Sequence, residues 1–303
     1  MQTTTPPQPK QVEFTGSGGI KLVADHWSPA PTDSAVGSAP GTPSPRIVLL
    51  MHGGGQTRFS WKNTGALLAA HGHEVVSLDT RGHGESDWAL DGDYSATALQ
   101  ADGLGVLEQL PAVTGRHLPV TVVGASLGGL TGIGMAALAP PNTVDRLILV
   151  DVVPRPEERG TTRIRDFMAS GGDGFDDLDQ AAAAISEYLP HRPSTGATEG
   201  LKRNLRRRED GRWYWHWDPA FLNAADGSVV LPSDMFEKQA VGLTIPIQLI
   251  RGRLSDVVSK ESVDAFRELI PDLEVTELTG AGHTAAGDSN DAFTSAVIDF
   301  IDR

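Results

Sequence analysis

Ser126 in "GASLGG", Asp256 in "RGRLSD" and His283 in "GAGH" follow one another along this chain in an order that suits nucleophilic acyl transfer. A serine hydroxyl at its ordinary pKa is a weak nucleophile, so it needs an imidazole to take its proton and a carboxylate to orient that imidazole. Ser126 sits in a Gly-x-Ser-x-Gly pattern, after the apolar run "VTVVGA" and before the small-residue run "LGGLTGIGMAALA". A strand that turns there straight into a helix pushes the serine oxygen into the open and crowds its neighbours, so residues 124 and 128 must be small. The same turn leaves the Leu127 N–H free to meet an oxyanion formed beside Ser126. A second donor is expected from "LLMHGGGQTRFSW", where Gly54 lets the backbone approach a substrate carbonyl; His52 in that stretch reads as structural.

These residues need a scaffold that brings strand ends together. Residues 11–27, "QVEFTGSGGIKLVADHW", read as a hairpin. The Pro/Gly/Ser-rich stretch 28–45 reads as a flexible, exposed loop. Beyond it, "RIVLLMHG", "HEVVSLDT", "VTVVGAS", "RLILVDV", "IPIQLIRG" and "LEVTELTG" recur with helix-length intervals. Continuous apolar strands alternating with helices predict a mostly parallel sheet covered on both faces, with its sites at the carboxyl ends of the strands. Ser126, Asp256 and His283 each follow such a run. The long interval 154–241 carries its own helical stretch, "DDLDQAAAAISEYL", and is expected to form an inserted helical cap between two parts of a core domain, 1–153 and 242–303.

Composition narrows the chemistry. The 303 residues include no cysteine, which removes disulfides, thiolate metal sites and a cysteine nucleophile. A net charge of −14 argues against nucleic acid as a partner. No apolar run reaches the roughly 20 residues of a membrane span, and the opening "MQTTTPPQPKQVEF" lacks a signal-peptide pattern, so a cytoplasmic location is expected.

Taken together, "HGGG", "DTRGHGESD", "GASLGG", "RGRLSD" and "GAGH" resemble the α/β-hydrolase superfamily, in its capped branch of carboxylesterases, epoxide hydrolases, dehalogenases, cofactor-free haloperoxidases and meta-cleavage-product hydrolases. The likeness spans about residue 11 to 303. It implies a mostly parallel eight-stranded sheet flanked by helices, with no metal or organic cofactor. Epoxide hydrolases and dehalogenases carry aspartate where this chain has Ser126, which disfavours both activities. Carbon–carbon hydrolases usually carry tryptophan after the catalytic histidine, where Thr284 stands here. The resemblance therefore implies a carboxylesterase-like enzyme acting on an ester of a small to medium organic substrate. Lactonase, amidase, perhydrolase and carbon–carbon hydrolase activities use the same three residues, and a ligand-sensing receptor of this fold with little turnover is the alternative outside enzymes.

Some members place their acid one strand earlier, which makes Asp151 in "LVDVVP" a rival to Asp256; Asp256 is the expected orienter. His83 and Arg81 in "DTRGHGESD" read as structural. Within the cap, the basic run in "KRNLRRRED" reads as a solvated helix face. The alternating Trp213, Trp215 and Trp217 would share one side of an extended segment and are candidate substrate contacts, although lid packing is the commoner role of such residues.

Overall fold

Two antiparallel strands open the chain, β1 (Lys10–Thr15) and β2 (Lys21–Trp27), joined by a one-turn 3-10 helix at Ser17–Gly19, as the hairpin pattern predicts. The computed structural model describes residues 7–29, 44–189, 199–222, 232–283 and 291–303. The stretch 28–45 therefore lies largely outside the described residues. Next come β3 (Ile47–Met51), α1 (Lys62–Ala70), β4 (Glu74–Leu78), α2 (Ala96–Thr114), β5 (Val120–Ala125), α3 (Leu127–Leu138) and β6 (Val144–Val150). The interval between β6 and the next sheet strand holds α4 (Glu158–Ala169), α5 (Leu178–Tyr188), a short hairpin of β7 (Leu205–Arg207) and β8 (Trp213–Trp215), and α6 (Ser233–Val241). The chain closes with β9 (Ile247–Gly252), α7 (Lys260–Leu269), β10 (Glu274–Leu278) and α8 (Asp291–Ile301).

Eight strands form one sheet in the order β1-β2-β4-β3-β5-β6-β9-β10, parallel from β4 to β10 and antiparallel only at β1 and β2. Every residue of β3, β4 and β5 is buried, because helices cover both faces of the sheet there. Ile47, Leu49 and Met51 pack with α2, α3, α6 and α7 on one face, whereas Val48 and Leu50 pack with α1 and α8 on the other.

The inserted segment has an apolar core of its own, in which Met168, Phe175, Ala181, Leu205, Trp215 and Trp217 meet Tyr94, Leu99 and Leu127 of the sheet unit. Backbone bonds pin its chain back onto that unit: Asp218 N donates to Gly82 O at 2.9 Å and Glu157 N donates to Val257 O at 2.9 Å. Two expectations change here. Helix α6, placed with the cap on sequence, belongs to the sheet layers, because Phe236 and Ala240 are buried in the main core. The basic run is not a helix face: it passes through a 3-10 turn into β7, where Arg206 bonds Gly84 O and stacks over Trp88, while Arg207 and Arg208 lie over Trp213 and Tyr214. Among the described residues, no helix is long and apolar enough to cross a membrane.

Candidate active site

The crossing of β5 into α3 confines Ser126 to φ 48°, ψ −115°, a backbone region that L-residues rarely occupy. A Cβ on Gly124 would lie 2.4 Å from the Gly128 backbone, and one on Gly128 would lie 2.5 Å from Met51 O, so both glycines are required by backbone contact. Ser126 N donates to Val150 O at 3.1 Å, and Ser126 O accepts from Gly129 N and Leu130 N, which holds the turn from both sides. Among the described residues, the Leu127 N–H has no acceptor, as befits the first turn of a helix.

The glycine loop after β3 runs alongside: a Cβ on Gly53 would sit 3.3 Å from the Ser126 Cβ. Gly53 N donates to Gln56 Oε1 at 3.1 Å and Gly55 N donates to His83 Nε2 at 3.1 Å. Of the three glycine N–H groups, Gly54 alone has no acceptor among the described residues.

Three buried histidines back this loop, with ring centroids 5.2 Å apart for His52 and His83 and 5.8 Å for His83 and His216. Fixed backbone groups assign their tautomers. His52 Nε2 accepts from Thr80 N, so Nδ1–H donates to Gly53 O at 2.8 Å. His83 Nε2 accepts from Gly55 N, so Nδ1–H donates to Arg81 O at 3.1 Å. His216 Nδ1 accepts from Gly84 N at 2.8 Å. Burial lowers His52 to about 4 and His83 to about 3, and drives His216 well below the usual histidine value. All three are neutral struts, in line with the structural role expected of His52 and His83. Arg81 is likewise structural, bonding Asp102 and the Asp93 carbonyl.

The acid differs from expectation. His283 Nδ1 lies 2.8 Å from Asp151 Oδ2, just beyond β6, whereas the Asp256 carboxylate faces outward and takes Arg163 Nη2 at 2.9 Å. Asp256 is diverted because α4 packs on its turn so closely that a Cβ on Gly160 would lie 2.4 Å from Asp256 O. Asp151 is fully buried at φ 51° and accepts Gly252 N at 2.9 Å and the Ser255 hydroxyl at 2.6 Å in addition to His283. Ser255 Oγ also accepts from Val257 N and Val258 N, which locks the turn after β9 onto the acid. A carboxylate only accepts, so Nδ1 of His283 carries the proton and Nε2 holds the free lone pair. Sequence reasoning ranked Asp151 second and missed Ser255; the available signal was a lone carboxylate directly at the end of the "LILV" strand.

Ser126 and His283 line one cavity of about 420 Å³ together with Gly53, Gly54 and Gly55. The inserted segment supplies the apolar wall through Ile164, Phe167, Ile185, Leu189, Trp215 and Trp217. Trp215 and Trp217 stack at 5.0 Å, and Trp213 lies off the cavity, bridged through its backbone to Phe175. Lys62 and Arg203 also line this space, with Gln56, Asn63 and Asn204; among the described residues no carboxylate does.

A model of the alpha/beta hydrolase family matches residues 47–296. Esterase Rv0045c of Mycobacterium tuberculosis is 31% identical over 276 residues, covering 86% of this chain and 84% of its own. The sn-1-specific diacylglycerol lipase ABHD11 of Mus musculus is 29% identical over 274 residues, covering 85% and 81%. The crystal structure of E-2-(acetamidomethylene)succinate hydrolase superposes with a TM-score of 0.80 at 22% identity, over 97% of this chain and all of that one.

Two outcomes are expected. Exchanging Asp151 for Asn should misplace the His283 proton and lower turnover by roughly 10⁴-fold, while Asp256→Asn, which only frees a partly exposed Arg163, should stay within a few-fold; steady-state kinetics of the two variants compares them. The second concerns pH. The histidines of the strut have folded pKa values of about 4 and 3, below the unfolded 6.5, so they bind protons only on unfolding. Stability is therefore complete above pH 6.5 and falls as pH drops towards 4 and 3, by about 1.4 kcal/mol per pH unit for each such group. Urea titrations between pH 7.5 and 4.5 should show this slope, and His83→Gln should reduce it.

Proposed function

Because the chain belongs to the alpha/beta hydrolase family, we propose that it is a serine hydrolase that cleaves carboxylic esters through an acyl-enzyme. The observation that carries this reading is the strained Ser126 and the Asp151-held His283 opening into one cavity. His283 Nε2 takes the Ser126 proton as Oγ attacks the ester carbonyl, and Asp151 stabilises the imidazolium that results. The N–H groups of Leu127 and Gly54, without other acceptors among the described residues, receive the oxyanion; one such donor contributes about 3 kcal/mol to the transition state. His283 then protonates the leaving alcohol, and a water activated by the same nitrogen releases the acid. The inserted segment serves as a cap: it closes the cavity opposite Ser126 and supplies the surface that sorts substrates, with Trp215 and Trp217 as contacts and Trp213 as support.

The charge of the cavity narrows the substrate. In a chain of net charge −14, the space beside Ser126 carries Lys62 and Arg203 without a carboxylate among its described lining residues. Arg203 lies over the Phe59 ring, and neither cation has an ion pair among the described residues. This favours an ester with a carboxylate elsewhere on its acyl or alcohol part.

Ser126→Ala should abolish labelling by a fluorophosphonate and lower hydrolysis of p-nitrophenyl butyrate by about 10⁴-fold or more; hydrolysis at a near-parental rate would overturn the mechanism. For the charge reading, the mono-p-nitrophenyl ester of adipic acid is compared with p-nitrophenyl hexanoate, and 4-(butyryloxy)benzoate with its methyl ester. In at least one pair, the anionic member should lose roughly 10-fold in kcat/KM when Lys62 and Arg203 become Gln, the worth of one charge-assisted contact, while its neutral match is unchanged. Equal losses in both members would remove the charge preference and leave the hydrolase reading intact.

A further inference from the structure

At the edge of the sheet opposite Ser126, three potential ligands converge without a role in the site described above. His71 follows α1, His73 immediately precedes β4, and Asp302 follows α8. One ligand atom from each lies within 4.8 Å of the other two. Gly72, at φ 107°, reverses the chain between the two histidines and sets their rings 5.8 Å apart. His71 Nε2 is 2.9 Å from Asp302 Oδ2, whereas His73 Nε2 is 3.8 Å from Asp302 Oδ1, too far for a hydrogen bond.

His73 is the telling member. It is 1% exposed, and among the described residues neither of its ring nitrogens has a hydrogen-bond partner. A buried imidazole with both nitrogens bare loses its hydration without replacement, an arrangement that folded proteins rarely tolerate unless a water or an ion completes it. The Arg46 guanidinium is engaged with Asp145 and with Ile301 O.

We infer that His71, His73 and Asp302 bind a divalent transition-metal ion of the zinc type. Two imidazoles and one carboxylate suit zinc, with water as the fourth ligand, and do not suit the oxygen-only shells of calcium or magnesium. Tetrahedral ligands about 2.0–2.1 Å from zinc lie roughly 3.3 Å apart, so the His71–Asp302 pair at 2.9 Å opens slightly and the His73–Asp302 pair at 3.8 Å closes, which the partly exposed side chains of His71 and Asp302 permit. The ion joins the end of α1, the start of β4 and the end of α8, so it acts as a clip between the sheet and its last helix. The five residues of β4 put it about 15 Å or more from the carboxyl edge of the sheet.

The test uses the full chain, stripped with a chelator and titrated with Zn²⁺ by calorimetry and with Co²⁺ by visible absorption. One equivalent should bind per chain and zinc should raise Tm, because it binds the folded state. His71→Gln and Asp302→Asn should each weaken binding by more than the roughly 100-fold that loss of an outer-shell partner can cost, with hydrolysis of p-nitrophenyl butyrate unchanged. His73 is buried, so these two accessible ligands carry the comparison. No saturable binding by the parent chain, or equal binding by the parent and both variants, would overturn the site. A single equivalent that binds the parent and both variants alike and inhibits hydrolysis in all three would place the ion at His283 and overturn it as well.

Discussion

No side chain fits between the end of β5, the first turn of α3 and the backbone of Met51 and His52. A Cβ on Gly128 would meet Met51 O at 2.5 Å and His52 O at 2.7 Å, and one on Gly124 would meet Gly128 itself. This three-way backbone contact holds the serine turn and the glycine loop in one geometry, so Ser126 and Gly54 line one cavity without depending on any flexible side chain. The positive φ at Ser126 costs on the order of 1–3 kcal/mol. It persists because the parallel neighbour β6 takes the Ser126 N–H and the helix takes its carbonyl.

Behind that contact the charges are arranged by solvation. His52, His83 and His216 are neutral because burial disfavours their cations, and each makes at least one bond to the backbone of a loop at the carboxyl edge. They stiffen the glycine loop after β3 without adding positive charge beside Ser126. Asp151 is the opposite case: a buried carboxylate whose three donors, Gly252 N, Ser255 Oγ and His283 Nδ1, replace the water it has lost. Its own φ of 51° is a second strained position, set by the same carboxyl edge.

The inserted segment connects to this edge at the turn that follows β4. Gly84 N bonds His216, Gly82 O takes Asp218 N, and Trp217 packs against Gly55, so the aromatic wall of the cavity is tied to the glycine loop. The apolar wall and the glycine loop are thereby mechanically coupled, although they come from different layers of the fold.

Much of this was legible from local pattern alone. Apolar runs of strand length, the glycines around Ser126, the "HGGG" loop and His283 after the last strand each carry a steric or periodic signature within a few residues, and each lies where that signature implies. What the tertiary structure decided involves pairs far apart in the chain. Asp151 and Asp256 look alike as strand-end carboxylates, but α4 draws Asp256 to Arg163 while Ser255 and Gly252 close around Asp151. Helix α6 reads as part of the insertion until Phe236 is seen in the main core. The three tryptophans alternate alike, yet only two reach the cavity. Sequence specifies where a turn or strand must be, because those constraints are local; which of two equivalent side chains faces a site depends on what packs against it from elsewhere in the chain.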